Sequence, residues 1–509
     1  MIVVLNFGAQ YCHLIARTVR ELGVKAEILL NDATAAQVRE KNPDGIILSG
    51  GPASVYENGS PQMDKAILAL GVPVLGICYG HQLIAKAIGG KVTRGAKKEY
   101  GRREIAIKDK KDLFKGLGDK ETVWMSHGDT VTALPKGFAA LASTPDCPIA
   151  AYRGRDLYGV QFHPEVHHTT NGKRILENFV FSICRARKDW NPGNLVEKTV
   201  EEAKAEAHGA GVLMAVSGGV DSTVAAAIMD RAVGDRLHCV FVDHGLLRKN
   251  EADQVMESLK KIGLKHVYMV DASKKFLAKL KGVTDPEEKR KRIGHMFIEV
   301  FEQKANELKK KYGEIEFLAQ GTIYPDRIES AQPSNKASKI KSHHNLTLPE
   351  KMRLKIIEPL KEFYKDDVRK LGAALGLPPE MVGRHPFPGP GLAIRILGEV
   401  TEEKLAILRE ADAIFVDELR KNKLYADVWQ ALAVLLPVKT VGVMGDARTY
   451  EYMVALRAVT SRDGMTADWA KLPHLFLERV SNRIVNEVKG INRVVYDITQ
   501  KPPSTIEYE

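Results

Sequence analysis

The chain has 509 residues, 27% charged and 44% hydrophobic, which is the balance of a globular protein with room for about three domains. Lys and Arg outnumber Asp and Glu by 75 to 64, a net charge of +11. That excess suits polyanions but is too diffuse to choose between nucleotides and nucleic acid. No apolar run approaches the ~18 residues of a membrane span, and no basic-then-apolar leader opens the chain. Cys12, Cys78, Cys147, Cys184 and Cys239 show neither CxxC nor metal-ligand spacing, so a disulfide framework is not expected and a reducing compartment is.

In chain order, Ile2 to Leu5 reads as a strand, followed by a Gly turn and a helix over 11–22. Apolar runs at 45–52 and 72–78, each followed by a turn or helical pattern, argue for a parallel α/β sheet. The run at 72–78 leads into Gly76-Ile77-Cys78-Tyr79-Gly80. This G-x-C-x-G spacing is the thiol counterpart of the G-x-S-x-G elbow, in which a sharp strand-to-helix turn presents the nucleophile. A helix N-terminus there favours negative charge on sulfur and supplies amide donors for an oxyanion. A buried structural cysteine is the bland alternative. A thiol nucleophile needs a base, and the base an orienting acid. Residues 158–166 supply both, as a strand ending in His163-Pro164-Glu165. His167 and His168 follow in a loop-like context and are not candidates.

WNPGNL (190–195) has linker composition. After a helix at 196–208, Val212 to Val216 forms a short apolar strand. It meets Ser217-Gly218-Gly219-Val220-Asp221-Ser222-Thr223, and an Ala-rich helical pattern follows. Strand, Gly turn and helix N-terminus make an anion-binding corner, because first-turn N–H groups lack intrahelical partners. Gly218 and Gly219 let the backbone come close; Ser217, Ser222 and Thr223 add hydroxyls. The string lacks the Gly-Lys-Ser/Thr of a Walker A loop. A strand over 237–245 ends near Asp243 and Arg248, and two more follow at 266–272 and 316–326. Ligands of such sheets bind at the carboxyl ends of the strands. The polar segment 330–355 reads as a lid. The basic runs 289–292 and 309–311 read as solvated helix faces. Helices over 363–375 and 379–384 close this region. A turn-rich hinge (385–395) opens a third one, with a helix at 401–420, two apolar strands, a helix at 474–489 and a final strand. Those apolar strands suggest self-association.

LSGGP, GICYGHQ, MSHGD and GVQFHPEV together resemble the class I glutamine amidotransferases. The resemblance implies that Cys78 attacks the glutamine amide, His163 is general acid and base, and Glu165 orients it. Backbone donors near Gly51 and Tyr79 would hold the oxyanion. NFGAQYCH stands where that family more often has DFGSQYTQ. SGGVDS resembles the PP-loop of ATP pyrophosphatases, which implies ATP binding by Ser217, Gly218, Gly219, Val220, Asp221, Ser222 and Thr223.

All three regions, in this order, resemble the glutamine-hydrolysing GMP synthetases, with GTIYPDRIES, IIEPLKE, RHPFPGPGLAIR, VGVMGD, RVVYDIT and KPPSTIEYE carrying the later part. The fold implied is α/β. An amidotransferase module (1–190) and a PP-loop module (191–384), each on a parallel sheet, precede a C-terminal α+β dimerisation domain (385–509). The implied substrates are glutamine, ATP and XMP, with Mg²⁺ accompanying ATP and Asp221 a candidate contact for it. Arg248, Asp326, Lys501 and Glu507 would contact XMP. A cytoplasmic homodimer is implied, with no nucleic-acid or membrane partner. Two rival classes are a tRNA-modifying PP-loop thiolase and a non-catalytic nucleotide-binding module. The thiolase would normally carry paired cysteines near the loop, where only Cys239 is close.

Overall fold

Strands β1 (Ile2–Asn6), β3 (Gly45–Leu48) and β4 (Val74–Ile77) are continuous apolar runs, buried at every position. That is the pattern of parallel strands covered on both faces. With β2 (Ala26–Leu30) and β9 (Leu157–Val160) they form the parallel part of a nine-stranded sheet, order β2-β1-β3-β4-β9. Beyond β9 the sheet continues through antiparallel neighbours β8 (Ala151–Gly154), β7 (Ala139–Ser143), β5 (Lys91–Ile107) and β6 (Lys120–Ala133). The sequence reading stopped at the parallel strands, because half-buried alternating strands carry a weaker signal. Helix α1 (Cys12–Glu21) follows β1, and α2 (Tyr79–Ala87) follows β4.

The structure is a computed structural model that describes the whole chain except residues 10, 314, 327–353, 462, 463 and 465. The lid expected over 330–355 lies almost wholly outside the described residues. The chain divides into two units, Met1–Asn191 and Pro192–Glu509.

In the second unit, β10 (Gly211–Ala215), β11 (Leu237–Asp243), β12 (Val267–Asp271), β13 (Ile315–Ala319) and β14 (Lys355–Ile357) form an all-parallel sheet, order β12-β11-β10-β13-β14. Chain order runs outward from β10 on one side and resumes at β13 on the other. The crevice for a ligand is therefore expected at the carboxyl end of β10, where α3 (Val220–Val233) begins. Helices α4 (Glu251–Lys261), α5 (Pro286–Tyr312) and α6 (Lys365–Ala374) belong to this sheet's surroundings. Strands β15 (Gln430–Met444) and β16 (Ala447–Thr460) pair antiparallel. Two more strands pair with β16: β17 (Asp468–Trp469) antiparallel and β18 (Ile491–Tyr496) parallel. Helices α7 (Glu402–Lys421) and α8 (His474–Glu487) pack on this second sheet.

One apolar core runs from Leu213 and Val240 through Leu392 and Leu408 to Leu456 and Ile491. The division expected at 384/385 does not interrupt it, and the turn-rich stretch contributes fully buried Leu392, Ala393 and Ile394. The basic run 289–292 is not wholly a solvated face. Lys289 is fully buried, and its ammonium donates to the Ala393 and Ile396 carbonyls and pairs with Glu509. A buried Lys is tolerated where every donor finds an oxygen.

Candidate functional site

Cys78 sits between β4 and α2 with φ 51° and ψ −101°, a backbone conformation that side-chain-bearing residues rarely adopt. The flanking glycines make the elbow possible. A Cβ on Gly76 would lie 2.4 Å from the Gly80 backbone, and one on Gly80 would lie 2.5 Å from the Leu48 carbonyl oxygen. The thiol donates to the Ser126 carbonyl at 3.6 Å. Tyr79 is the first helical residue, so its amide has no intrahelical acceptor. Gly51 packs against the Tyr79 ring, and a Cβ at neighbouring Gly50 would come within 3.1 Å of the His163 ring. Both expected oxyanion donors thus lie on segments bordering the thiol.

His163 follows β9, the neighbour of β4 in the sheet. Its Nδ1 is 2.7 Å from a Glu165 carboxylate oxygen, and its ring lies beside the Cys78 side chain. The Thr169 hydroxyl donates to the His163 carbonyl at 2.6 Å, which fixes the backbone of the turn. Burial pushes the His81 imidazole down to about 3 and lowers His127 as well. His163 moves the other way. Burial alone would lower it, but Glu165 and the Cys78 sulfur outweigh burial and raise it to about 10. Its folded pKa exceeds the unfolded value near ~6.5. The charged ring therefore contributes stability that is full below about pH 6.5 and is lost as pH rises through about 10.

An imidazole beside sulfur, oriented by a carboxylate, is placed to exchange a proton with it. Iodoacetamide should therefore alkylate Cys78 ahead of the other cysteines at about pH 7. His163→Asn should slow that alkylation by roughly tenfold or more. An unchanged rate in His163→Asn would show that the imidazole does not activate the sulfur. Cys12, Cys147 and Cys239 do not compete, because burial pushes them up to about 12, 11 and 12.

At the carboxyl end of β10, Ser217 and Gly219 are exposed, while Gly218, Val220 and Thr223 are buried. Helix α3 starts at Val220, so Val220 to Thr223 form its first turn rather than part of the preceding loop. The loop is closed locally: the Ser217 and Ser222 hydroxyls are 3.1 Å apart, and Ser222 donates to the Gly219 carbonyl at 3.1 Å. Gly321, just after β13, lies close enough that a Cβ there would be 3.2 Å from the Ser222 amide. Asp221 faces this corner. One carboxylate oxygen is 3.2 Å from the Lys365 ammonium, and the other is buried without a hydrogen-bond partner. An orphaned carboxylate oxygen beside a phosphate cradle suits a divalent cation. Glu99, His127 and Cys147 also converge, with potential ligand atoms within 4.8 Å of one another. Those groups are already engaged by Thr144, the Asp129 carbonyl and Thr130.

Residues 3–183 match the family model for glutamine amidotransferase class-I, 193–291 that for NAD synthase, and 417–508 that for the GMP synthase C terminal domain. The chain is 58% identical over 511 residues to the GMP synthase (glutamine-hydrolyzing) of Aquifex aeolicus. It is 55% identical over 511 residues to that of Carboxydothermus hydrogenoformans. Each alignment covers 100% of this chain and 99% of the relative. The chain belongs to the glutamine-hydrolysing GMP synthases.

Two of the four expected XMP contacts, Glu507 and Arg248, share one electrostatic neighbourhood. The Glu507 carboxylate accepts from Arg395 at 2.7 and 2.9 Å and from Gln430 at 2.7 Å. Burial would raise its pKa, but Arg395, Gln430 and Arg248 together hold it below the usual carboxylate range. Arg248 pairs with Asp412 at 2.9 Å and donates to the Ala431 carbonyl at 3.0 Å. Lys501 donates to the Gly464 carbonyl at 2.7 Å. Asp326 accepts the Ile323 amide at 3.2 Å. Residues the sequence reading did not single out are Ser126, Lys365, Arg395 and Asp412. MSHGD and RHPFPGPGLAIR contain Ser126 and Arg395, but nothing in spacing marks that the Ser126 carbonyl meets the thiol or that the Arg395 side chain is buried.

Proposed function

We propose that the enzyme hydrolyses glutamine at Cys78 and uses the ammonia, with ATP, to convert XMP to GMP. The observation that carries this reading is the presence in one chain of a thiol–imidazole–carboxylate set and a phosphate cradle at a sheet switch point, within a sequence alike over its full length to GMP synthases. The Cys78 thiolate adds to the amide carbon, and amides at Gly51 and Tyr79 take the oxyanion. His163 gives its proton to the leaving nitrogen, and ammonia departs. His163 then takes a proton from water, which opens the thioester to glutamate. At the second site the C2 oxygen of XMP attacks the α-phosphate of ATP. Pyrophosphate leaves, and adenyl-XMP forms. Ammonia attacks C2 and displaces AMP.

Asp221 would hold Mg²⁺ with the ATP phosphates, where the ion neutralises phosphate charge. Ser217 to Thr223 cradle the phosphates, and Arg248, Asp326, Lys501 and Glu507 border the XMP. The test is AMP release from ATP plus ammonia with XMP offered against IMP and GMP. Release at least ~100-fold faster with XMP is expected. Comparable release with IMP would overturn the substrate assignment.

The second unit also suits a homodimer. Val441, Val443 and Tyr450 lie on one face of the β15–β16 ribbon and are 59%, 74% and 66% exposed. A contiguous apolar strand face of this kind marks an association surface. Sedimentation should give a dimer, and Val441→Glu with Val443→Glu a monomer. An unchanged mass for the double variant would place the interface elsewhere. The compartment is the cytoplasm, where five free buried thiols persist reduced.

A further inference from the structure

The phosphate cradle and the segment carrying Arg248 are held by the same buried side chain. Glu251 is the first residue of α4 and is 5% exposed. One of its carboxylate oxygens accepts the Arg248 backbone N–H at 3.0 Å, and the other pairs with the Arg384 guanidinium. Arg384 donates a second N–H to the Gly218 carbonyl at 2.7 Å. Gly218 has φ 72°, and a Cβ there would sit 2.3 Å from a Val255 methyl on the next turn of α4. The loop therefore lies directly against the helix that Glu251 opens, and Arg384 ties the loop's carbonyl to that helix. A carboxylate with two oxygens can serve both partners; a guanidinium with a planar fork can bridge a carbonyl and a carboxylate.

We infer that Glu251 and Arg384 are positioning residues that set the 217–223 cradle and the Arg248 segment in one fixed relation. This rests on the reading of 217–223 as the ATP cradle and of Arg248 as an XMP contact. It assigns neither residue a contact with substrate. The geometry makes the two positions unequal. Arg384 links only the cradle to Glu251, whereas Glu251 holds both that link and the Arg248 backbone. Gln at 251 keeps one acceptor oxygen but turns an NH₂ toward one of two donors. Lys at 384 keeps the charge but cannot bridge both acceptors.

The experiment is ammonia-dependent GMP synthesis by the full-length enzyme, with KM for ATP and for XMP measured separately. Arg384→Lys should raise the ATP KM about tenfold and leave the XMP KM within about twofold. Glu251→Gln should raise both, and the double variant should raise the ATP KM no further than the larger single effect. If Arg384 instead binds ATP phosphates directly, freeing it by Glu251→Gln would leave the ATP KM unchanged or lower it; that result overturns the inference. So would an ATP effect of Glu251→Gln and Arg384→Lys that multiplies in the double variant. Arg384 is partly exposed, so Arg384→Lys provides a folded variant even where Glu251→Gln is unstable. A failure of the underlying reading is separable, because the unmodified enzyme would then release no AMP from ATP with XMP.

Discussion

Cys78→Ala should abolish glutamine-dependent GMP synthesis, by at least ~10³-fold, while ammonia-dependent synthesis stays within about twofold of the unmodified enzyme. The size follows from chemistry: without sulfur there is no thioester, and His163 and the oxyanion donors retain only a small residual effect. The selectivity follows from architecture. The thiol, His163 and Glu165 all belong to the unit that ends at Asn191, which has its own core around Leu5, Leu48 and Val74. The phosphate cradle belongs to the unit that begins at Pro192, whose core is separate. The substitution is also gentle on folding. Alanine keeps the Cβ that already tolerates φ 51°, and the thiol's contact with the Ser126 carbonyl is long at 3.6 Å. Rates with glutamine and with ammonium chloride, measured on one preparation, check this. Loss of both in a folded variant would show that the sulfur serves the second unit as well.

The parts of the site that were legible in the sequence are those whose chemistry depends on local spacing. An elbow is a five-residue object, and Gly76, Cys78 and Gly80 announce it because the sheet leaves no room for a Cβ at either end. His163 and Glu165 are two residues apart at a strand end, and the 2.7 Å bond between them follows. The phosphate corner is likewise local, seven residues between a strand and a helix. What sequence could not place are partners joined only by the fold. Lys365 meets Asp221 across 144 positions, and Arg395 meets Glu507 across 112. Their residue types are common, and no periodicity connects them. Lys289 is the sharper case. In a run of four basic residues it reads as solvated, yet α5 turns that one position into the core, where three oxygens converge on it. The antiparallel strands β5 and β6 were missed for a related reason: polar residues alternate along them, and the pattern resembles loop.

Asp221→Ala should stop synthesis with either nitrogen donor, by at least ~10²-fold, because both routes share the adenylation step. Asp221 is the only acid in the seven-residue cradle, and one of its oxygens is buried with no hydrogen-bond partner. A buried carboxylate oxygen left unsatisfied is costly, so its retention points to a ligand that satisfies it. Two explanations for the loss must be separated. Asp221 could matter only as the partner of Lys365, or as a group that meets the cation carried by ATP. The ion pair is 3.2 Å long with both side chains partly exposed, 38% and 26%, so on stability grounds it is worth only roughly 0.2–1 kcal/mol. Asp221→Ala should accordingly fold and melt close to the unmodified enzyme. Asp221→Asn then decides between the two roles. It preserves shape and one acceptor for Lys365 but removes the negative charge a divalent ion requires. Activity of Asp221→Asn as low as that of Asp221→Ala, partly recovered when Mn²⁺ replaces Mg²⁺, is the expected result. Near-normal activity of Asp221→Asn would reduce Asp221 to a tether for Lys365.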